Sequence, residues 1–283
     1  MAAERTAAVR QPAAGGNRMR FRPCIDIHNG KVKQIVGGSL RDRGDFAAEN
    51  FVSERTASDF ASLYHRDHLN GGHIILLNAA SSPYFEATRR QALDALRSQP
   101  GDFSLGGGVN ADNAEEYLLA GASHVIVTSY VFSDGKFDRE HLRNMLAAVG
   151  RKHLILDLSC RYREDGFYIV TDRWQKFTDV RLSVSVLREL SDLCDEFLIH
   201  GVDAEGKQKG PQLELVDLMA EAFDGEEKQF PVTYAGGIGS FEDLEAVRTH
   251  GRGRVDLTIG SALDLFGGSM PYREVIRRCG AGN

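Results

Sequence analysis

The sequence predicts an α/β fold, a closed (β/α)8 TIM barrel of eight parallel strands built from an internal half-barrel repeat. Three observations lead there. Eight short apolar, β-rich runs alternate with longer amphipathic patterns from residue 21 onward, as expected of βαβ units. The alternation fills about 260 residues, the usual length of such a barrel, whereas an open doubly wound sheet generally uses fewer strands. The chain also resembles itself at half its length.

In order, the predicted strands are FRPCIDI (21–27), HIILLN (73–78), FSLGG (103–107), HVIVTS (124–129), HLILDL (153–158), EFLIH (196–200), PVTYAG (231–236) and VDLTIG (255–260). Between them, 54–69, 111–121, 183–194 and 240–251 carry apolar residues at helical spacing. NGKVKQIVGG (29–38) and CRYREDGFYIVTD (160–172) break the alternation after the first and fifth strands. Each reads as a turn followed by β-rich chain and predicts a small hairpin above the barrel mouth. No linker-like break divides 19–283, which reads as one barrel domain. Residues 1–18, MAAERTAAVRQPAAGGNR, lack the apolar stretch of a secretory signal and read as a disordered extension. A plastid transit peptide is the weaker reading, since the segment is short and contains no serine.

Composition narrows the function. Of 283 residues, 42% are hydrophobic and 26% charged, as in ordinary globular proteins. A formal net charge of -6 argues against a nucleic-acid or membrane-surface binder, which needs a basic face to attract phosphates at long range. Any anionic ligand must therefore be held by local groups. No apolar run approaches the roughly 18 residues that span a bilayer. Cys24, Cys160, Cys194 and Cys279 are widely separated and show no CxxC spacing. That pattern suits reduced thiols in a cytoplasmic protein, with no structural metal.

The repeat is visible in three pairs. Asp26 and Asp157 lie 131 residues apart, Gly106 and Gly236 130, and Ser129 and Ser261 132, in the same order in each half. One such pair could arise by chance; three in register imply duplication. In an eight-stranded barrel, strands 1 and 5, 3 and 7, and 4 and 8 face each other, so the duplication predicts a pseudo-twofold site.

GGGVN (106–110) and GGIGS (236–240) each follow a strand and precede a helix, leaving backbone N–H groups to face an anion. With TSY (128–130) and GSALD (260–264) they define two candidate phosphate sites: Gly107, Gly108, Thr128 and Ser129 in one half, Gly236, Gly237, Gly260 and Ser261 in the other. An isolated Gly-Gly more often marks only a tight turn. A glycine-rich loop after strand 7 beside Gly-Ser after strand 8 is, however, the recurring phosphate arrangement of this fold. Its copy in the other half implies a ligand phosphorylated at both ends.

Asp26 and Asp157 close otherwise apolar strands, where a charge is costly unless paired or at the solvated mouth. Facing carboxylates offer acid/base chemistry when their environments separate their pKa values; the residues alone do not say which is acid and which is base. The competing reading has one of them ordering Lys31 or capping a loop. His200, which closes strand 6, and Glu205 in the following GVDAEGK are further catalytic candidates, and His28 a weaker one. Trp174, the only tryptophan, is either a small local core or a stacking surface.

Taken together, FRPCIDIHNGKVKQIVGG, LGGGVN, SHVIVTSYVF, LILDLS, IVTDRWQKF, YAGGI and TIGSALD resemble the phosphoribosylformimino-5-aminoimidazole carboxamide ribotide isomerase family, in the branch found in plants, fungi and some bacteria. The resemblance covers about residues 20 to 275. It implies an Amadori rearrangement in histidine biosynthesis without a cofactor, with Asp26 as general base, Asp157 as general acid and Trp174 stacked on the aminoimidazole carboxamide. His200 stands where the commoner bacterial pattern has Thr, Glu205 where it has Asp, and Asn110 where it often has Arg. These departures leave open whether His200 or Glu205 shares the proton-donor role.

The expected partner is a small bisphosphorylated substrate, met by a cytoplasmic monomer that binds neither nucleic acid nor membrane. Three rival readings remain: the sister cyclase barrel of the same pathway, which the chain resembles less; an isomerase that also accepts phosphoribosylanthranilate; and a non-catalytic phosphoribosyl-binding protein.

Overall fold

The computed structural model describes residues 19–35, 39, 47–172, 174–204, 210–225 and 230–280; the N-terminal segment 1–18 and Glu205 lie outside them. Cys24–His28 (β1), Gly72–Leu76 (β2), Phe103–Gly106 (β3), Val125–Val127 (β4), Leu154–Asp157 (β5), Glu196–His200 (β6), Val232–Ala235 (β7) and Asp256–Leu257 (β8) neighbour one another in chain order, every pair parallel. The ring closes where Phe21 bridges Leu257. There the Arg22 N–H donates to the Leu257 carbonyl at 2.8 Å and the Leu257 N–H to the Arg20 carbonyl at 3.0 Å. Helices follow each strand: Ala57–Arg66 (α1), Phe85–Ser98 (α2), Ala114–Leu119 (α3), Arg139–Val149 (α4), Val184–Ser191 (α5), Leu213–Ala222 (α6), Phe241–His250 (α7) and Tyr272–Cys279 (α8). Among the described residues, no helix is long and apolar enough to cross a membrane.

Every predicted strand overlaps an observed one, but element ends shift for local chemical reasons. Helix α1 begins later than predicted because Thr56 forms a capping box: its hydroxyl accepts the Asp59 N–H while the Asp59 carboxylate accepts the Thr56 N–H. The Ser183 and Ser240 hydroxyls cap α5 and α7 by accepting the Val186 and Asp243 N–H groups. Helix α3 is shorter than 111–121 because the Asn110 side chain accepts the Asp112 and Asn113 N–H groups at 2.9 and 3.2 Å, holding a turn before the helix. Strands β4 and β8 stop early because the next residues turn: the Thr128 carbonyl accepts from Val131 and Phe132, and the Gly260 carbonyl from Leu263.

The two excursions differ from simple hairpins. Asn29 and Gly30 both have positive φ, 52° and 73°, the backbone of a type I′ turn. Lys31–Ile35 therefore folds back antiparallel on β1, and Glu49–Val52 pairs outside it. This first excursion extends the barrel sheet to ten strands. After β5, Cys160–Arg163, Gly166–Thr171 and Lys176–Arg181 form a separate three-stranded sheet. Its third strand, KFTDVR, lacks clean alternation, so the pattern did not announce it.

Inside the ring, Ile75, Ile126, Ile155 and Leu198 pack across the axis. A larger apolar layer joins the strands to the helices. At the N-terminal ends of the strands, Arg22 lies 2.8 Å from Asp256 and 3.6 Å from Glu196, all three side chains nearly excluded from solvent. Arg20 adds a second contact to Asp256 at 2.8 Å, and Thr233 donates its hydroxyl to Glu196 at 3.2 Å. Burial alone would lower the Arg22 pKa, but Glu196 and Asp256 outweigh it and keep the guanidinium charged. At His73 the Asp157 carboxylate does not make up for burial. Burial above all, then the His200 ring, pushes it down to about 3, so the ring is neutral.

Two outcomes follow from this interior. Asp256→Ala should destabilise the fold by about 3–5 kcal/mol in urea unfolding, because it leaves a buried guanidinium under-compensated. His73 titrates ordinarily at 6.5 and at about 3 when folded, so the unfolded chain binds the extra proton between those values. Its contribution is full above pH 6.5 and declines as pH falls toward about 3, at up to ~1.4 kcal/mol per pH unit. His73→Gln should flatten that limb in urea melts taken across acidic pH; an unchanged slope would show that His73 is not its source.

Candidate active site

The C-terminal strand ends surround a cavity of about 710 Å³, on the face where this fold carries its sites. Asp26 enters it from the middle of β1 and Asp157 from the last position of β5. These strands are four apart in a ring of eight, so the two carboxylates occupy opposite walls. His200 closes β6 beside Asp157 and also lines the cavity.

The β5–β6 wall is a hydrogen-bonded cluster. Asp157 Oδ1 accepts the Ser159 N–H at 2.9 Å and the Ser159 hydroxyl at 2.7 Å, with His200 Nδ1 at 3.4 Å. Burial raises the Asp157 pKa, but the His200 ring and the Ser159 donors outweigh it and hold the carboxyl below the usual carboxylate range. Asp157 is therefore ionised at neutral pH.

Trp174 lies in the turn before Lys176–Arg181 and lines the cavity instead of forming a separate local core. Its φ is 66°, a left-handed backbone that costs a bulky residue on the order of 1–3 kcal/mol and persists only when its surroundings hold it. The indole N–H donates to Ser159 Oγ at 3.1 Å, and the ring sits 5.9 Å from that of His200.

On the other walls the repeat becomes geometry. Gly107 has φ +100°, and a Cβ there would lie 2.1 Å from the Leu76 carbonyl oxygen; Gly237 has φ +76°, and a Cβ there would lie 2.2 Å from the Gly210 carbonyl oxygen. Only glycine fits either turn. Gly108 and Gly236 continue them, and Thr128, Ser129, Gly260 and Ser261 line the cavity from the ends of β4 and β8. The turn after β7 leads to the N-terminus of α7, where backbone N–H groups and the helix dipole favour an anion. Gly260 also leaves room for Gln34 of the first excursion, since a Cβ there would lie 2.1 Å from Gln34 Oε1.

The cavity thus gathers every sequence-predicted site residue except His28 and Glu205, the latter lying outside the described residues. His28 is buried and is not among the lining residues. Ser159, His73 and Gln34 were missed. Ser159 left one readable signal, an Asp-x-Ser spacing that lets a hydroxyl reach back to the carboxylate. His73 and Gln34 sit in runs that read only as strands.

Residues 20–270 match the family model described as histidine biosynthesis protein. The chain is 50% identical over 262 residues to the chloroplastic 1-(5-phosphoribosyl)-5-((5-phosphoribosylamino)methylideneamino)imidazole-4-carboxamide isomerase of Medicago truncatula, covering 91% of this chain and 81% of that protein. It is 44% identical over 252 residues to the isomerase of that name from Neurospora crassa, with 88% and 93% covered. The corresponding Saccharomyces cerevisiae protein is 40% identical over 254 residues, with 89% and 94% covered. The family match runs from the residues that close the ring to the loop before α8, and on it the chain belongs to the histidine biosynthesis protein family.

Proposed function

We propose that this chain is an aldose–ketose isomerase of histidine biosynthesis, converting the phosphoribosylformimino aminoaldose carboxamide ribotide to its aminoketose, phosphoribulosyl form. The observation that carries the reading is Asp26 and Asp157 on opposite walls of one cavity, with matching glycine turns around it. A ligand bearing a phosphate at each end suits that arrangement. The names of the relatives supply the substrate.

Chemically, a proton donor protonates the ribose ring oxygen as the C1–O bond breaks, leaving a protonated Schiff base at C1. A base takes the proton from C2 to give the enolamine. Protonation at C1 and loss of the hydroxyl proton at C2 then yield the ketone. Hydrogen is redistributed within one molecule without net redox change, so acid and base suffice and the proposal needs no cofactor. Asp26 serves as the base. The Asp157–His200 pair, in contact through Asp157 Oδ1 and His200 Nδ1, acts as one proton-handling unit on the facing wall. Gly107, Gly108, Thr128 and Ser129 hold one phosphate, Gly236, Gly237, Gly260 and Ser261 the other, and Trp174 stacks on the imidazole carboxamide.

For the molecule's surroundings the proposal is a cytoplasmic monomer that acts on a small molecule and not on nucleic acid. The plant relative carries a chloroplastic designation, so fractionation of cells expressing the full chain, tagged at its C-terminus, decides between the compartments.

NMR of the purified protein with the aminoaldose ribotide should show conversion to the aminoketose. Asp26→Asn and Asp157→Asn should each lower kcat by roughly 10²–10⁴-fold. Tight binding with no conversion by the unaltered chain would leave a phosphoribosyl-binding protein instead. Gly107→Ala and Gly237→Ala should each raise KM by about tenfold or more, the equivalent of losing one charge-assisted contact. If KM is unchanged in both, these turns do not cradle the phosphates.

A further inference from the structure

Asp157 ends β5, Trp174 lies in the turn before the last strand of the excursion that follows, and one hydroxyl joins them. Ser159 is fully buried. Its hydrogen is committed to Asp157 Oδ1 at 2.7 Å, and a serine hydroxyl has only one hydrogen to give. Toward its other neighbours the oxygen can only accept. It takes the Trp174 indole N–H at 3.1 Å and faces His200 Nδ1 at 3.3 Å. Because His200 Nδ1 meets two acceptors, Ser159 Oγ and Asp157 Oδ1, the hydrogen of a neutral His200 belongs on Nδ1.

The backbone makes Ser159 a fixed point. Its carbonyl accepts the Val170 N–H at 2.9 Å, and the next residue, Cys160, pairs with Ile169 in the excursion sheet. The Cys160 carbonyl in turn accepts the Val202 N–H at 3.1 Å, just beyond β6. Trp174, by contrast, sits in a left-handed turn with φ 66°, a conformation that relaxes unless its side chain is held.

We infer that Ser159 is a positioning residue: it holds the Asp157 carboxylate, the Nδ1–H form of His200 and the Trp174 indole in one arrangement, so that the stacking surface and the acid–base wall are set together. The catalytic consequence rests on the isomerase reading; the structural consequence does not. Ser159 is not among the cavity-lining residues and acts through Asp157, His200 and Trp174.

The two consequences can be measured apart. Trp174 is the only tryptophan of the chain, so intrinsic emission reports on it without substrate. Ser159→Ala should shift that emission and increase its quenching by acrylamide at least about twofold, whereas Ser159→Thr, which keeps the hydroxyl, should restore the original behaviour. In turnover, Ser159→Ala should lower kcat about tenfold or more, with a smaller change in KM, as expected when an interaction that orders the chemical step is lost. Trp174→Phe keeps a ring but loses the N–H; it should lower kcat several-fold in the unaltered background and have no further effect beside Ser159→Ala. Wild-type emission, quenching and kcat in a folded Ser159→Ala variant would overturn the inference. Should that variant fail to fold, an unchanged kcat in Trp174→Phe would overturn it equally. If the unaltered chain shows no turnover, the isomerase reading falls, and the emission measurements still decide whether Ser159 holds Trp174.

Discussion

Two backbone hydrogen bonds between Leu257 and residues 20 and 22 turn a sheet into a ring, and most of the molecule follows from that closure. A closed parallel barrel has an inside with no exit for an unpaired polar group and a rim to which all strand C-termini point. Isoleucines and Leu198 fill the axis because nothing wet can. At the floor, the Arg22 guanidinium is tolerated because Glu196 and Asp256 face it. Between floor and mouth, His73 resolves the same constraint differently, by giving up its proton.

At the rim the constraint loosens, and the chemistry collects there. Asp157 is buried enough that its charge would be costly, yet three donors converge on one oxygen and keep it ionised. The same hydroxyl that supplies one of those donors accepts from Trp174. A stacking ring in a left-handed turn and a carboxylate at a strand end are therefore parts of one hydrogen-bonded unit. The wall opposite, at Asp26, belongs to β1, whose outer neighbour is the first excursion.

The duplication supplies symmetry and the excursions break it. Gly107 and Gly237 occupy equivalent turns and meet equivalent obstacles, a backbone carbonyl within about 2 Å of any added Cβ. What lies over those turns is not equivalent. After β1 the chain folds back onto the barrel sheet and sends Gln34 toward Gly260; after β5 it builds an independent sheet and brings Trp174 over the mouth. A twofold scaffold thereby presents two similar ends and two different sides to a single ligand.

The sequence by itself determined the eight strand–helix units, the half-length repeat, the two glycine turns and the aspartates, because each is written in local periodicity or in a residue type whose backbone or charge has few tolerable settings. Asp26 and Asp157 were legible as charges ending apolar runs, and Gly107 and Gly237 as glycines between a strand and a helix. Only the tertiary structure decided what depends on distant partners: that Lys31–Ile35 joins the barrel sheet, that Arg22, Glu196 and Asp256 meet across the floor, and that Ser159 binds Asp157, His200 and Trp174 at once. Such partners come from different strands, and a pattern read along one strand carries no record of the side chain that closure will place across the ring.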